Sequence, residues 1–114
     1  MKKIILIFLV SLMGINVQAQ EKKNKNAKYD IAVSGNCEMC KKRIEKAALS
    51  VKGVKSATWH ADHQDLHLIL DETKCTVLQV HEAVAKVGHD TDEIRAKDED
   101  YEKLHICCTY ERKQ

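Results

Sequence analysis

The chain has 114 residues, its Lys and Arg exceed Asp and Glu by only two, and aromatic residues make up 4%. A near-neutral balance gives no electrostatic case for nucleic acid, and with Phe8 as the one phenylalanine there is no aromatic sheet on which bases would stack. Five cysteines is an odd number, so at least one thiol is free, shared between chains or committed to something other than an internal disulfide.

Met1, Lys2 and Lys3 make a charged start, Ile4 to Ile15 an apolar run and Val17-Gln18-Ala19 a small-residue cleavage site, the pattern of an export signal over residues 1–19. The apolar run is short of the roughly 20 residues of a spanning helix, and no cysteine follows the cleavage site to accept a lipid. The expected product begins at Gln20, is periplasmic, has no membrane span and is formally neutral once Lys2 and Lys3 are gone. About 95 residues remain, enough for one small domain of marginal stability.

Residues 20–28 are polar and without periodicity and read as a flexible leader. Tyr29, Ile31 and Val33 alternate with Asp30, Ala32 and Ser34, which predicts a strand with one buried face. Gly35-Asn36-Cys37-Glu38-Met39-Cys40 follows. From Cys40 onward Ile44, Ala47, Ala48 and Val51 recur at helical spacing, and Gly53 ends the helix.

Ala57 and Trp59, then Leu66, Leu68 and Leu70, alternate around the polar turn 61–64, which predicts a hairpin with Trp59 facing the core. Thr76 caps a second helix with Val77, Val80, Val84 and Val87 as its apolar stripe, and Gly88 stops it. A last short strand is expected at about Thr91 to Ala96. The order β-α-β-β-α-β is the α+β, ferredoxin-like split arrangement, two helices on one face of a four-stranded antiparallel sheet. The domain then spans residues 29–97, and residues 98–114 form a charged tail holding Cys107 and Cys108 whose docking periodicity does not reveal.

Chemistry concentrates at Cys37 and Cys40. Two soft thiolates at a strand-to-helix turn, where exposed N–H groups favour thiolate over thiol, make a site for a thiophilic metal ion. A pair of sulfurs suits Cu(I) or Hg(II) in near-linear geometry better than Zn(II), which prefers four ligands. Met39 offers a thioether between them or simply packs locally. Lys41, Lys42 and Arg43 lower the thiol pKa and steer an acidic partner, or form the wet face of the helix.

Elsewhere, His60, His63 and His67 with Asp62 and Asp65 form either a second site for Cu(II) or Zn(II) or a polar turn. Cys75 reads as a lone, partly buried thiol. Cys107 and Cys108 fold back onto the first pair, bond Cys75 or another chain, or act as a redox pair.

With this order of elements, the Cys-x-x-Cys of Cys37 and Cys40, Gly53-Val54 after the first helix and Gly88-His89-Asp90 after the second, the chain from Tyr29 to about Lys97 resembles the heavy-metal-associated domains of copper chaperones, metal-ATPase amino-terminal domains and the periplasmic mercury-binding protein. The resemblance implies that Cys37 and Cys40 are the metal ligands. His89, whose loop lies beside the cysteine loop in that fold, is a candidate third ligand or a plain surface histidine, Cys107 and Cys108 are candidate further ligands by folding back, and the expected cargo is Cu(I), or else Hg(II), Ag(I) or Zn(II). Two departures stand out. The stretch Val33 to Cys37 is one residue shorter than the family's and lacks its loop-plugging Met, and His89 stands where chaperones commonly carry Tyr, Phe or Lys.

The resulting expectation is a non-enzymatic, exported heavy-metal-binding protein that transfers or sequesters Cu(I). Its partner would be a delivery or efflux protein with thiol or thioether ligands and an acidic surface. An Hg(II)-detoxification protein is the alternative within the metal class. A thiol-disulfide oxidoreductase is the alternative outside it, although a chain with no proline lacks the cis-proline loop that such sites use.

Overall fold

The computed structural model describes residues 22–112. The export signal expected over residues 1–19 lies outside the described residues. Three strands, β1 (Ala27–Ala32), β2 (Val54–His60) and β3 (Asp65–Leu70), form an antiparallel sheet in the order β1-β3-β2. Its register explains the alternation in the sequence. Ile31 faces Leu66 and Leu66 faces Trp59, while Tyr29, Leu68 and Ala57 form the next row, and together they line the core side. Asp30, His67 and Thr58 form a row on the opposite, exposed side.

Helix α1 (Glu38–Leu49) buries Cys40, Ile44, Ala47 and Ala48, and α2 (Val77–Lys86) buries Val80, His81, Val84 and Ala85. Residues of both helices and of the inner sheet face share one hydrophobic cluster. Burying a side chain such as Ile44 contributes about 1.5–3 kcal/mol, and Ile44 sits one turn beyond Cys40, so the force that seats α1 also fixes the second thiol. Thr76 caps α2 as expected: its hydroxyl accepts from Gln79 N while the Gln79 side chain accepts from Thr76 N.

The open edge of β2 is occupied by α1 side chains. Trp59 N donates to Glu45 Oε2 at 2.9 Å, and Lys41 Nζ donates to the Trp59 carbonyl at 3.2 Å. Trp59 itself is fully buried, and its indole N–H donates to the Val33 carbonyl at 3.0 Å.

Two expectations are corrected and one open question is answered. Among the described residues the sheet has three strands: in the segment expected as a fourth, only Thr91 pairs with Val33, as an isolated bridge. The Thr91 hydroxyl accepts from the N–H groups of Glu93 and Ile94, and Thr91 N donates to the Ile94 carbonyl, so a tight turn takes the backbone groups a strand would need. Residues 20–28 are not all leader: β1 begins at Ala27, which is buried opposite Leu70, and Asn24 exchanges two bonds with Glu72. The tail, whose docking the sequence leaves open, packs against the domain. After α3 (Asp98–Glu102) and a 3-10 turn (Ile106–Cys108), it places Leu104, Cys108 and Tyr110 in the core cluster.

Candidate metal centre

Cys37 is the N-cap of α1, with extended backbone (φ −133°, ψ 179°) and a side chain that makes no capping bond, so its sulfur is left to other partners. Cys40 lies in the first turn and is fully buried. Their sulfurs are 3.6 Å apart.

Neighbouring elements hold the loop before Cys37. Ser34 N donates to the Asp90 carbonyl, Gly35 N to Gln64 Oε1 at 3.0 Å, and His89 Nδ1–H to the Ser34 carbonyl at 2.8 Å. Gly35 is required by close approach: a Cβ there would lie 3.1 Å from both the Cys40 Cβ and the edge of the Trp59 ring. Trp59 thus lies against the loop before Cys37.

The tail brings two more sulfurs to this pair. Cys37 Sγ lies 3.2 Å from Cys107 Sγ and 3.3 Å from Cys108 Sγ. The sulfurs of Cys37, Cys40 and Cys108 all fall within 4.8 Å of one another. Cys108 is fully buried, whereas Cys107 is exposed and 3.6 Å from the Met39 sulfur.

Partial burial pushes the Cys37 thiol up, but hydrogen bonds from the Cys107 thiol, the Cys40 backbone N–H and the thiols of Cys108 and Cys40 outweigh it and bring the pKa down from an ordinary 9.0 to about 6. The same contacts act oppositely on the tail. Donation to Cys37 holds the Cys107 proton on. Burial, then hydrogen bonding to Cys40 and Cys37, raises Cys108, with Arg43 pulling the other way.

His89 does not join the sulfurs. It is fully buried, stacks on Tyr110 with centroids 5.6 Å apart and stands outside the sulfur group. Desolvation lowers its pKa against the bond to Ser34, so it is a neutral ring that supports the cysteine loop. Cys75 is a buried thiol bonded to the Asp71 carbonyl and raised by burial, as expected of a lone thiol. In the hairpin, His67 contacts Asp30 through Nδ1 and Asp65 through Nε2, and it meets the His60 ring edge-on. His63 is exposed beside Asp62.

Tyr110 and Arg112, which the sequence reading passed over, fasten the tail. The Tyr110 hydroxyl accepts from Asp90 N and donates to the Gly88 carbonyl, both at 2.8 Å. Arg112 grips both Asp90 oxygens, at 2.8 and 2.9 Å, and also reaches Asp98 and the Ala96 carbonyl. The signal available was a polar-tipped aromatic and an arginine just past Cys107-Cys108, but a tail without periodicity does not show where they bind. A cluster of soft thiolates with one sulfur already ionisable near neutral pH can hold a thiophilic ion and exchange it with an incoming thiol.

No family profile matches the chain, and no curated protein does. Solved structures do. The chain is similar to a CopZ metallochaperone, at 27% identity over 57% of this chain and 98% of that one, with a TM-score of 0.56. It is similar to the N-terminal domain of a potential copper-translocating P-type ATPase from Bacillus subtilis in its Cu(I)-loaded state, at 25% identity over 58% and 84%, TM-score 0.55. A third likeness, to oxidized MerP from Ralstonia metallidurans CH34, has 22% identity over 58% and 96% and a TM-score of 0.51, and shows the fold alone.

Proposed function

The chain belongs with the heavy-metal-associated domains by fold, and on that premise we propose that it is a non-enzymatic, exported carrier or scavenger of a soft metal ion, Cu(I) first, held by Cys37 and Cys40. The observation that carries this reading is the pair of sulfurs 3.6 Å apart at the start of α1, with hydrogen bonds that bring the pKa of the Cys37 thiol down to about 6. A thiolate that needs no strong base to form captures a soft cation directly, and a solvent-facing ligand lets a partner's thiolate enter before the first sulfur leaves.

Export rests on the leader pattern of residues 1–19. The receiving partner is a protein with thiol or thioether ligands and an acidic surface. Exposed Lys42 and Lys46 and half-buried Arg43 line a groove with Met39 beside the sulfurs, a basic rim that would steer such a partner. Among the described residues no helix is long and apolar enough to cross a membrane.

The test is a titration of the reduced protein with Cu(I) against a colorimetric chelator, with the Cys37→Ser/Cys40→Ser double variant alongside. One tightly held equivalent that the double variant loses supports the reading. A wild type that fails to compete for Cu(I) refutes the copper assignment, and repeating the titration with Hg(II), Ag(I) and Zn(II) then decides whether any heavy metal is the cargo.

A further inference from the structure

Family resemblance accounts for the first two sulfurs. It does not account for a buried third sulfur, a half-buried arginine beside it, or the fastening that holds the tail in place. We propose that the C-terminal segment is a latch that turns the cysteine pair into a three-thiolate holding site, Cys37, Cys40 and Cys108, balanced by Arg43 and locked by Asp90, Tyr110 and Arg112. This inference rests on the metal-binding reading above.

Spacing is the first support. With a metal–sulfur bond of about 2.3 Å, a linear pair needs its sulfurs about 4.6 Å apart and a planar trio about 4.0 Å. The observed separations, 3.6 Å for Cys37 to Cys40 and 3.3 Å for Cys37 to Cys108, lie nearer the trio. Sulfurs a few tenths of an ångström too close need only open slightly around an ion.

Charge is the second. Arg43, one turn after Cys40, lies near enough to Cys108 to favour its thiolate, and its Nη1 is buried with no hydrogen-bond partner. A buried guanidinium nitrogen left unpaired is costly, and a cluster that becomes anionic repairs that cost. Three thiolates around Cu(I) carry two net negative charges, and around Hg(II) one. Binding forms three metal–sulfur bonds and releases to solvent the protons still on the three thiols. No electron moves.

Preorganisation is the third. The fastening is independent of metal: Tyr110 bridges Asp90 N and the Gly88 carbonyl, Arg112 clamps Asp90, and Arg112 also stacks over Tyr101 at 4.6 Å. Cys108 is therefore already seated before an ion arrives, and the ordering entropy of the tail is not charged to binding. Exposed Cys107, 3.2 Å from Cys37, is the thiol placed to meet an incoming ion or a partner's sulfur. Releasing the tail would return the site to two sulfurs.

X-ray absorption of the reduced protein carrying one equivalent of Cu(I) counts the sulfurs directly. Three are expected for wild type and for Cys107→Ser, and two for Cys108→Ser. Arg112→Leu keeps every thiol, and it should move the count toward two and weaken binding about 10–100-fold in chelator competition, the range for groups that orient ligands. Two sulfurs in wild type, a count of three that survives Cys108→Ser, or an Arg112→Leu protein with unchanged count and affinity would each overturn the latch while leaving the cysteine pair standing. Absence of any bound ion in wild type would instead remove the reading beneath it and the latch together. The wild-type count decides the matter even if a variant folds poorly.

Discussion

Replacing Tyr110 with Phe isolates one hydroxyl. The ring remains, so its burial and its contacts with His89 and Tyr101 are retained. Two bonds are lost: the donation from Asp90 N and the donation to the Gly88 carbonyl. An orphaned buried polar group costs about 1–3 kcal/mol. Gly88 is buried and counts in full, whereas half-buried Asp90 can recover a water and counts at the low end, which gives about 2–4 kcal/mol. For a domain of this size each kcal/mol lowers the thermal midpoint by about 4–8 °C, so a fall of roughly 8–32 °C is expected. The assay is thermal unfolding of the reduced, metal-free protein followed by circular dichroism, with a urea series to show that the slope is unchanged. A midpoint within about 2 °C of wild type, well below the 4–8 °C that 1 kcal/mol would produce, would refute the reasoning, because it would mean that the tail is not part of the cooperative unit.

Iodoacetamide alkylation of metal-free Cys37 should follow its ionisation, with a midpoint at about pH 6 rather than near the ordinary 9.0; a midpoint near 9 would contradict the hydrogen-bonded thiolate. Because the folded value is depressed, the stability contributed by ionised Cys37 is fully present above the unfolded thiol's pKa and shrinks as pH falls, vanishing below about 6. Urea melts from pH 9.5 to 5 should show that loss, and Cys107→Ala, which removes a donor, should raise the alkylation midpoint. Gly35→Ala places a Cβ 3.1 Å from the Cys40 Cβ and the Trp59 ring; it should cost about 1–3 kcal/mol and weaken metal retention, and an unaltered melt would show that the loop yields freely. Thr76→Ala removes the capping box of α2 and should cost about 0.5–2 kcal/mol while leaving metal stoichiometry at its wild-type value.

Much of the fold is written in local patterns. Ile31, Trp59, Leu66 and Leu68 alternate because one sheet face is buried. Ile44, Ala47 and Ala48 recur because one stripe of α1 is, and Thr76 and Gly88 bound α2 by their own backbone chemistry. The pair Cys37 and Cys40 was legible for the same reason: its spacing puts both at one helix start. The fourth strand failed because the Thr91 hydroxyl turns the chain locally, a competition between two short-range preferences that alternation alone does not resolve.

His89 shows another limit. Sequence position brought it to the cysteine loop, yet only the packed structure could decide that its ring faces Ser34 and Tyr110 and stays out of the sulfur group. The tail lies furthest from sequence reasoning. Cys108 meets Cys37 across 71 positions, and Arg112 meets Asp90 across 22. Contacts of that kind leave no period in the chain, because they depend on where the ends of finished elements come to rest. The sequence by itself therefore determined two soft thiols at a helix start on a βαββα frame, and only the tertiary structure decided that a third sulfur, with a half-buried arginine beside it, closes over them.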